Sequence, residues 1–109
     1  MEALCETLQA IKAGKLLQRK RTLELLLTLL NSNADIPQIG SVLCVAMDEG
    51  VLTEADIGRK LLIEQSTVNR WRNDVSSPSK RKRHLVLNVI REALPEAIKV
   101  IEEELAHGE

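Results

Sequence analysis

Apolar residues recur at three- and four-residue intervals along the first part of the chain, which is the spacing of amphipathic helices. Residues 2–13 carry Leu4, Leu8 and Ile11 on one face. Gly14 follows and either ends this helix or is tolerated inside a longer one at a cost of about 1 kcal/mol. The next helical run, residues 15–30, has a stripe made of Leu16, Leu23, Leu26, Leu27 and Leu30.

Two further leucines, Leu25 and Leu29, widen the apolar stripe of residues 15–30 beyond one face. A helix that is apolar over more than half of its circumference needs two neighbours to cover it. One of these neighbours can be a second copy of the chain. The pattern therefore favours a homodimer formed through the leucine-rich helices.

Residues 31–35 (NSNAD) are typical of a turn or short linker. Asp35 is then predicted to cap a helix that has Pro37 near its first turn, where proline is accepted. This helix ends near Gly50. Its inward residues are predicted to be Ile39, Val42, Leu43, Ala46 and Met47.

Residues 53–74 read as two short helices joined by a tight turn. Thr53 and Asp56 have the spacing of a capping box, with Asp in place of the usual Glu. Gly58 lacks a side chain and so lets the two helices cross closely. The inward positions are Ile57 and Leu61 on the first helix, and Val68 and Trp71 on the second.

A final helical run follows a loop at residues 75–79, with Ser79 as its predicted cap. Its apolar stripe consists of Leu87, Ile90, Leu94, Ile98, Ile101 and Leu105. Pro95 either kinks this helix or restarts it, with the proline in a new first turn. The stripe either closes the core of the domain or pairs with another subunit.

No alternating β pattern is present in the sequence, so we predict an all-α fold of five to seven helices in one domain. There is no apolar run long enough for a membrane span and no secretion signal, and we expect a cytoplasmic protein without membrane association. Cys5 and Cys44 lie in apolar helical contexts and are expected to be reduced core residues. Neither histidine has metal-ligand spacing to a cysteine, so no zinc site is predicted.

The net charge of −1 hides an uneven distribution. Residues 1–58 carry five Lys and Arg against eight Asp and Glu, and residues 85–109 carry two against six. Residues 59–84 carry eight against two. A cationic block of this kind is the footprint expected of a phosphate-binding face.

The block is densest at residues 80–83 (KRKR), at the start of the last helix. Cations there oppose the helix dipole at a cost of roughly 0.3–1 kcal/mol each. The arrangement becomes favourable if a polyanion lies at that end, since backbone N–H groups and four cations converge on it. A basic loop without a ligand and a nuclear localisation signal are the alternatives.

Residues 53–74 resemble the helix-turn-helix of the phage repressor and Cro-like family of DNA-binding proteins. The resemblance rests on Thr53, the Ile57-Gly58 pair, residues 65–68 (QSTV), Trp71 and Pro78. Two residues depart from the family pattern, because Leu62 and Asp74 stand where glycine is usual. Such residues fit if the turn avoids positive φ or if Asp tolerates it.

The resemblance implies a lambda-repressor-like domain over residues 36–94, with 53–74 as its motif. Residues 1–31 would be an N-terminal helical extension, and residues 95–107 a C-terminal helix. In such a motif the second helix enters the major groove of double-stranded DNA. The implied function is a sequence-specific transcriptional regulator such as a repressor, without a cofactor.

The residues assigned to base reading are Gln65, Ser66, Thr67, Asn69, Arg70 and Asn73. Those assigned to phosphate contact are Lys60, Arg72, Lys80, Arg81, Lys82 and Arg83. Glu64, at the start of the second helix, does not suit a DNA-binding face because its carboxylate repels phosphate. It fits only if the carboxylate accepts a hydrogen bond from a cytosine amino group.

Other functions are less well matched to the sequence. No catalytic constellation or phosphate loop is present, so we predict that the protein is not an enzyme. Single-stranded nucleic acid is disfavoured because Trp71 is the sole aromatic residue and lies inward. The main alternative is a protein-interaction module, an anti-activator or adaptor, on a helix-turn-helix-like fold.

Overall fold

The part of the chain that the structure describes forms an all-α fold of five helices. The structure, a computed structural model, describes residues 2–33 and 35–107, with side chains from residue 6 onward. The predictions for the side chains of Leu4 and Cys5 therefore lie outside the described part. The helices are α1 (Glu2–Ser32), α2 (Ile39–Asp48), α3 (Glu54–Leu61), α4 (Gln65–Arg72) and α5 (Lys80–His107). The predicted all-α class and number of helices are confirmed.

Helix α1 is one continuous helix that passes through Gly14 and ends at Ser32. A Cβ atom at Gly14 would meet nothing within 4 Å, so the glycine neither permits a close contact nor breaks the helix. The helix also extends into the segment predicted as a turn. Its end is capped by the Asn33 side chain, whose Nδ2 donates to the Leu29 carbonyl oxygen at 2.8 Å.

Helix α2 begins later than the sequence suggested, at Ile39, and its N-cap Gln38 makes no side-chain capping bond. The prediction that Asp35 caps this helix is wrong. The Asp35 carboxylate instead accepts two hydrogen bonds from Arg83, at 2.6 and 2.5 Å. The predicted inward face is confirmed: Met47 is half-buried, and the buried residues are Ile39, Val42, Leu43 and Ala46.

Helix α5 continues through Pro95 without restarting. It packs antiparallel to α1, as two contacts far apart along the helices show. Arg91 Nη2 donates to the Leu30 carbonyl oxygen at 2.7 Å, and Lys20 Nζ lies 4.0 Å from Glu102 Oε1. The residues that form the core between the two helices are Leu16, Leu23, Leu26, Leu30, Leu87, Ile90, Leu94, Ile98 and Ile101.

The first half of α5 also packs against α3, while α2 and α3 each pack against α4. The core between α1 and α5 therefore continues into the three short helices. Ile57 and Val68 are fully buried there and Trp71 is nearly so. None of the described helices combines the length and the hydropathy that crossing a membrane requires.

Candidate nucleic-acid interface

Helix α3 starts with the predicted capping box. Thr53 Oγ1 accepts from the Asp56 backbone N–H, and Asp56 Oδ2 accepts from the Thr53 backbone N–H, both at 3.0 Å. These bonds to the backbone and hydroxyl of Thr53, together with Arg59, hold the pKa of the Asp56 carboxyl below its ordinary value of 3.8. The carboxylate stays ionised at the positive end of the helix dipole, which fixes the start of the motif.

The turn between α3 and α4 has a left-handed residue at Leu62, with φ 57° and ψ 45°. This is the conformation for which glycine is usual, so the turn does not avoid positive φ. Gly58 was expected to allow a close crossing of the two helices, but its closest neighbour is the backbone of the turn. A Cβ atom at Gly58 would lie 2.8 Å from the Ile63 carbonyl oxygen, so it is the turn backbone rather than the second helix that approaches Gly58 most closely.

Helix α4 is held against the core by Val68 and Trp71, as predicted. Its C-terminal end rests on Gly40 of α2, where a Cβ atom would lie 3.0 Å from the Trp71 carbonyl oxygen and would clash with the Asp74 carboxylate. Asp74 itself has φ 57°. This use of Gly40 was not predicted from the sequence, although a glycine in the first turn of an amphipathic helix is a signal of close packing.

The outward face of α4 carries the predicted base-reading residues. Thr67 is half-buried, and the five exposed members are Gln65, Ser66, Asn69, Arg70 and Asn73. Two asparagines are linked, because Asn73 Nδ2 donates to the carbonyl and side-chain oxygens of Asn69 at 3.0 and 3.2 Å. Asn69 Nδ2 donates in turn to Glu54 Oε1 at 3.0 Å.

Two members of the face are unpaired. Within the described residues, no side-chain hydrogen bond or ion pair engages Gln65 or Arg70. Near them Glu64, the N-cap of α4, makes no side-chain cap and accepts a long bond of 3.5 Å from Ser66 Oγ. The polar groups of Gln65 and Arg70 therefore point into solvent and can bind an external partner.

Arg72 lies in an internal ion-pair network rather than on the exposed face. Its Nη2 is 3.0 Å from Asp48 Oδ1 and its Nη1 is 3.3 Å from Glu54 Oε1. Cys44 Sγ, a partly buried free thiol, donates to the Arg72 carbonyl oxygen at 3.5 Å. Cys44 and then Glu54 raise the pKa of the Arg72 guanidinium, which stays charged and ties α4 to α2 and α3.

Arg83 is also engaged within the chain. It forms the two bonds with Asp35, and the hydrogen bonds from Arg83 hold the pKa of the Asp35 carboxyl below its ordinary value of 3.8. His84 Nε2 lies 3.4 Å from the same carboxylate and has no hydrogen-bond partner among the described residues. This cluster joins the segment before α2 to the start of α5.

The remaining cations predicted to contact phosphate are exposed: Lys60, Lys80, Arg81 and Lys82. No ion pair engages them within the described part of the chain. Ser79 caps α5 as predicted, since its Oγ accepts from the Lys82 backbone N–H at 3.3 Å. Arg81 and Lys82 line a cleft with Trp71 and Ile63, which places them beside α4.

Metal chemistry has no evident site in this region. Among the described side chains, no three His, Cys, Asp or Glu residues come together in a way that could hold a metal ion. Comparison with family models, curated protein sequences and solved structures finds no match to this chain. The function of the chain is therefore inferred from the geometry of α3, α4 and the start of α5.

Proposed function

We propose that this protein binds double-stranded DNA sequence-specifically through α4 and regulates transcription, as the resemblance to phage repressor and Cro-like proteins implies. The observation that carries the proposal is the set of unpaired donors on one end of the molecule. Gln65 and Arg70 are exposed and unengaged on α4, and Arg81 and Lys82 lie beside that helix at the start of α5. Donors for base edges next to cations for phosphate are what groove recognition requires.

The geometry divides the base-reading residues by their freedom to move. Gln65 and Arg70 can form bidentate pairs with adenine and guanine, respectively. Ser66 can turn its hydroxyl from Glu64 to a base. Asn69 and Asn73 are tied to each other and to Glu54, so they contribute as a fixed pair of amides.

The phosphate contacts divide in a similar way. Lys60 and residues 80–82 are the phosphate-binding cations of the proposal, because they are exposed and unpaired in the described chain. Arg72 and Arg83 are assigned to the internal network, since three carboxylates neutralise them. Using them on DNA would break ion pairs that hold α4 and α5 in place.

The proposal includes a cytoplasmic location, repression as the mode of action, and a homodimer formed through the leucine-rich helices. The dimer is supported by the exposed leucines on α1, among them Leu25 and Leu29. Dimers of helix-turn-helix proteins bind operators that consist of two half-sites.

The alternative is a protein-interaction module that uses the same fold to hold another regulator. The observation in its favour is Leu62, a large apolar side chain that is 90% exposed at the turn. An exposed leucine in a strained conformation suits contact with an apolar surface of a partner. This alternative leaves the unpaired cations at residues 80–82 without a role.

Two alanine variants test the DNA-binding proposal. Arg70→Ala should cost about 1–3 kcal/mol against the best duplex and relax the preference at one base position. Replacing Lys80, Arg81 and Lys82 together should weaken all duplexes alike and lower the salt slope by about 3, since each phosphate contact contributes about 0.9. Fluorescence anisotropy at several salt concentrations measures both effects.

The control removes three exposed cations elsewhere, namely Lys12, Arg21 and Lys99. It changes the net charge by the same amount and should leave the salt slope unchanged. Equal losses in the control and the test variant would mean that overall charge, and not this face, controls binding.

A further inference from the structure

The outer side of α1 carries apolar residues that no part of the described chain covers. Leu8, Ile11, Leu25 and Leu29 are 57%, 50%, 66% and 46% exposed. They lie along one flank of the buried stripe that faces α5, since Leu25 and Leu29 are next in sequence to the buried Leu26 and Leu30. Seven-residue steps connect them into two rows, one through Leu8, Lys15, Thr22 and Leu29 and the other through Ile11, Gln18 and Leu25. The two rows, the α1 seam, have the spacing of the a and d positions of a coiled coil, with apolar residues at both ends and polar residues in the middle.

The first half of α1 has little support within the chain. Residues 6–15 are all exposed, and Leu16 is the first buried residue of the helix. A helical segment of this length is marginal in water without packing partners. Its apolar residues, Leu8 and Ile11, need a surface that the described part of the molecule does not provide.

The a and d positions of the seam are related by reflection about a point between Leu16 and Leu17, as the heptad spacing requires. Reflection about that point exchanges Leu8 with Leu25, Ile11 with Thr22, and Lys15 with Gln18. Leu8 and Ile11 lie in the exposed first half of α1, whereas Leu25 and Thr22 lie in the half that packs on α5. An antiparallel second copy related by a twofold axis performs this exchange.

We propose that two copies of this chain pair antiparallel along the α1 seam, with Leu8 and Ile11 of each copy against Leu25 and Thr22 of the other. The seam from Leu8 to Leu29 is about 32 Å long at 1.5 Å per residue. The inference rests on the homodimer of the proposed function and specifies its geometry.

Charge distinguishes the antiparallel arrangement from a parallel one. A parallel pair would place Lys15 directly against Lys15 of the second copy, with like charges in contact. The antiparallel pair places Lys15 against Gln18, whose side-chain oxygen accepts a hydrogen bond, and moves the second Lys15 to the next layer, about 4.5 Å along the axis. The adjacent Arg19 is neutralised in its own chain, because its Nε lies 3.3 Å from Glu49 Oε2. The polar centre also fixes the register, since a shift would bury Lys15 against leucine.

Single cysteines on the seam test the geometry in the full-length chain. In a Cys5→Ser, Cys44→Ala background, Leu8→Cys and Leu25→Cys are oxidised separately and as an equal mixture. The mixture should form a disulfide between the two variants at a yield at least about tenfold above either variant alone, because linked Cα atoms must lie within about 7 Å. Ile11→Cys with Thr22→Cys is a second pair with the same expectation.

The register control is a mixture of Ile11→Cys and Leu29→Cys, which the proposed pairing displaces by seven residues, or about 10 Å. It should not link. Efficient linking of Leu25→Cys to itself would show a parallel pair and overturn the proposal. The mass of the wild-type chain in sedimentation equilibrium separates the remaining outcomes. A dimer that does not form the mixed disulfides would refute this seam but not the homodimer. A monomer would refute both the seam and the homodimer. Neither result bears on DNA binding by a single chain.

Discussion

At the scale of single residues, the sequence located the unusual backbone positions but not their conformation. Leu62 and Asp74 were singled out because glycine is usual at both, and each has a φ of 57°. The structure thus keeps the left-handed turn and accepts a residue that strains it, at a cost on the order of 1 kcal/mol. The residue type at these positions does not show whether the backbone keeps positive φ under strain or adopts another turn conformation.

Two arginines form ion pairs that the sequence did not indicate. Arg72 and Arg83 were assigned to phosphate contact, yet in the structure they bind carboxylates that lie 24 and 48 positions away. Ion pairs over such separations depend on how the helices pack. They cannot be derived from local spacing.

The pairing of Asp35 with Arg83 predicts a dependence of stability on pH. Because the pKa of folded Asp35 lies below its ordinary value of 3.8, its ionised form stabilises the fold above that pH. The stabilisation is lost as the pH falls through 3.8 towards the pKa of the folded state. Asp35→Asn should therefore be less stable than wild type at pH 7, and the difference should shrink below about pH 4.

Urea denaturation from pH 7 to pH 3 measures this difference. The folded structure should be intact at each pH used. A difference that stays constant over the whole range would show that Asp35 acts through packing or shape and not through its charge.

At the scale of elements, periodicity identified the helices well but not their ends. The predicted stripes are buried on α5 and on the second half of α1, because three- and four-residue spacing directly reflects a helix packed on one side. Leu8 and Ile11, predicted on the face of residues 2–13, are half exposed. From the sequence alone, Gly14 and Pro95 could each either interrupt a helix or lie inside one. Both lie inside continuous helices in the structure. Around Pro95 the burial of Leu94 and Ile98 against α1 outweighs local propensity, whereas Gly14 lies in the exposed half of α1, where a glycine costs only about 1 kcal/mol.

Two glycine-to-alanine changes should have opposite effects. Gly14→Ala should stabilise the protein by up to about 1 kcal/mol, since its Cβ meets nothing and alanine favours the helix. Gly58→Ala should destabilise by roughly 1–3 kcal/mol, because its Cβ would lie 2.8 Å from the backbone oxygen of Ile63.

Each variant serves as the control for the other, since both add one methyl group within a helix. Chemical denaturation gives both free energies of unfolding. Destabilisation of equal size at both positions would contradict the close approach of the turn to Gly58.

At the scale of the whole molecule, the sequence predicted an all-α fold and a concentrated basic region. It did not predict the antiparallel pairing of α1 with α5, because nothing in two amphipathic stripes specifies which helix faces which. This pairing connects the N-terminal leucines to the motif through α5, which starts beside α4 at Lys80 and ends against α1. A dimer formed through α1 would therefore hold two α4 helices in a fixed relation.

We expect the outward face of α4 and the adjacent exposed cations to bind duplex DNA. An anisotropy titration of the wild-type chain against random duplex DNA over a range of salt concentrations tests this expectation. With Lys60 and residues 80–82 as the phosphate contacts, log K should fall with log salt at a slope of about −3.6 per chain. The affinity at physiological salt should be in the range of about 1–100 μM. No binding even at low salt would refute the proposed DNA-binding face and favour the protein-interaction module.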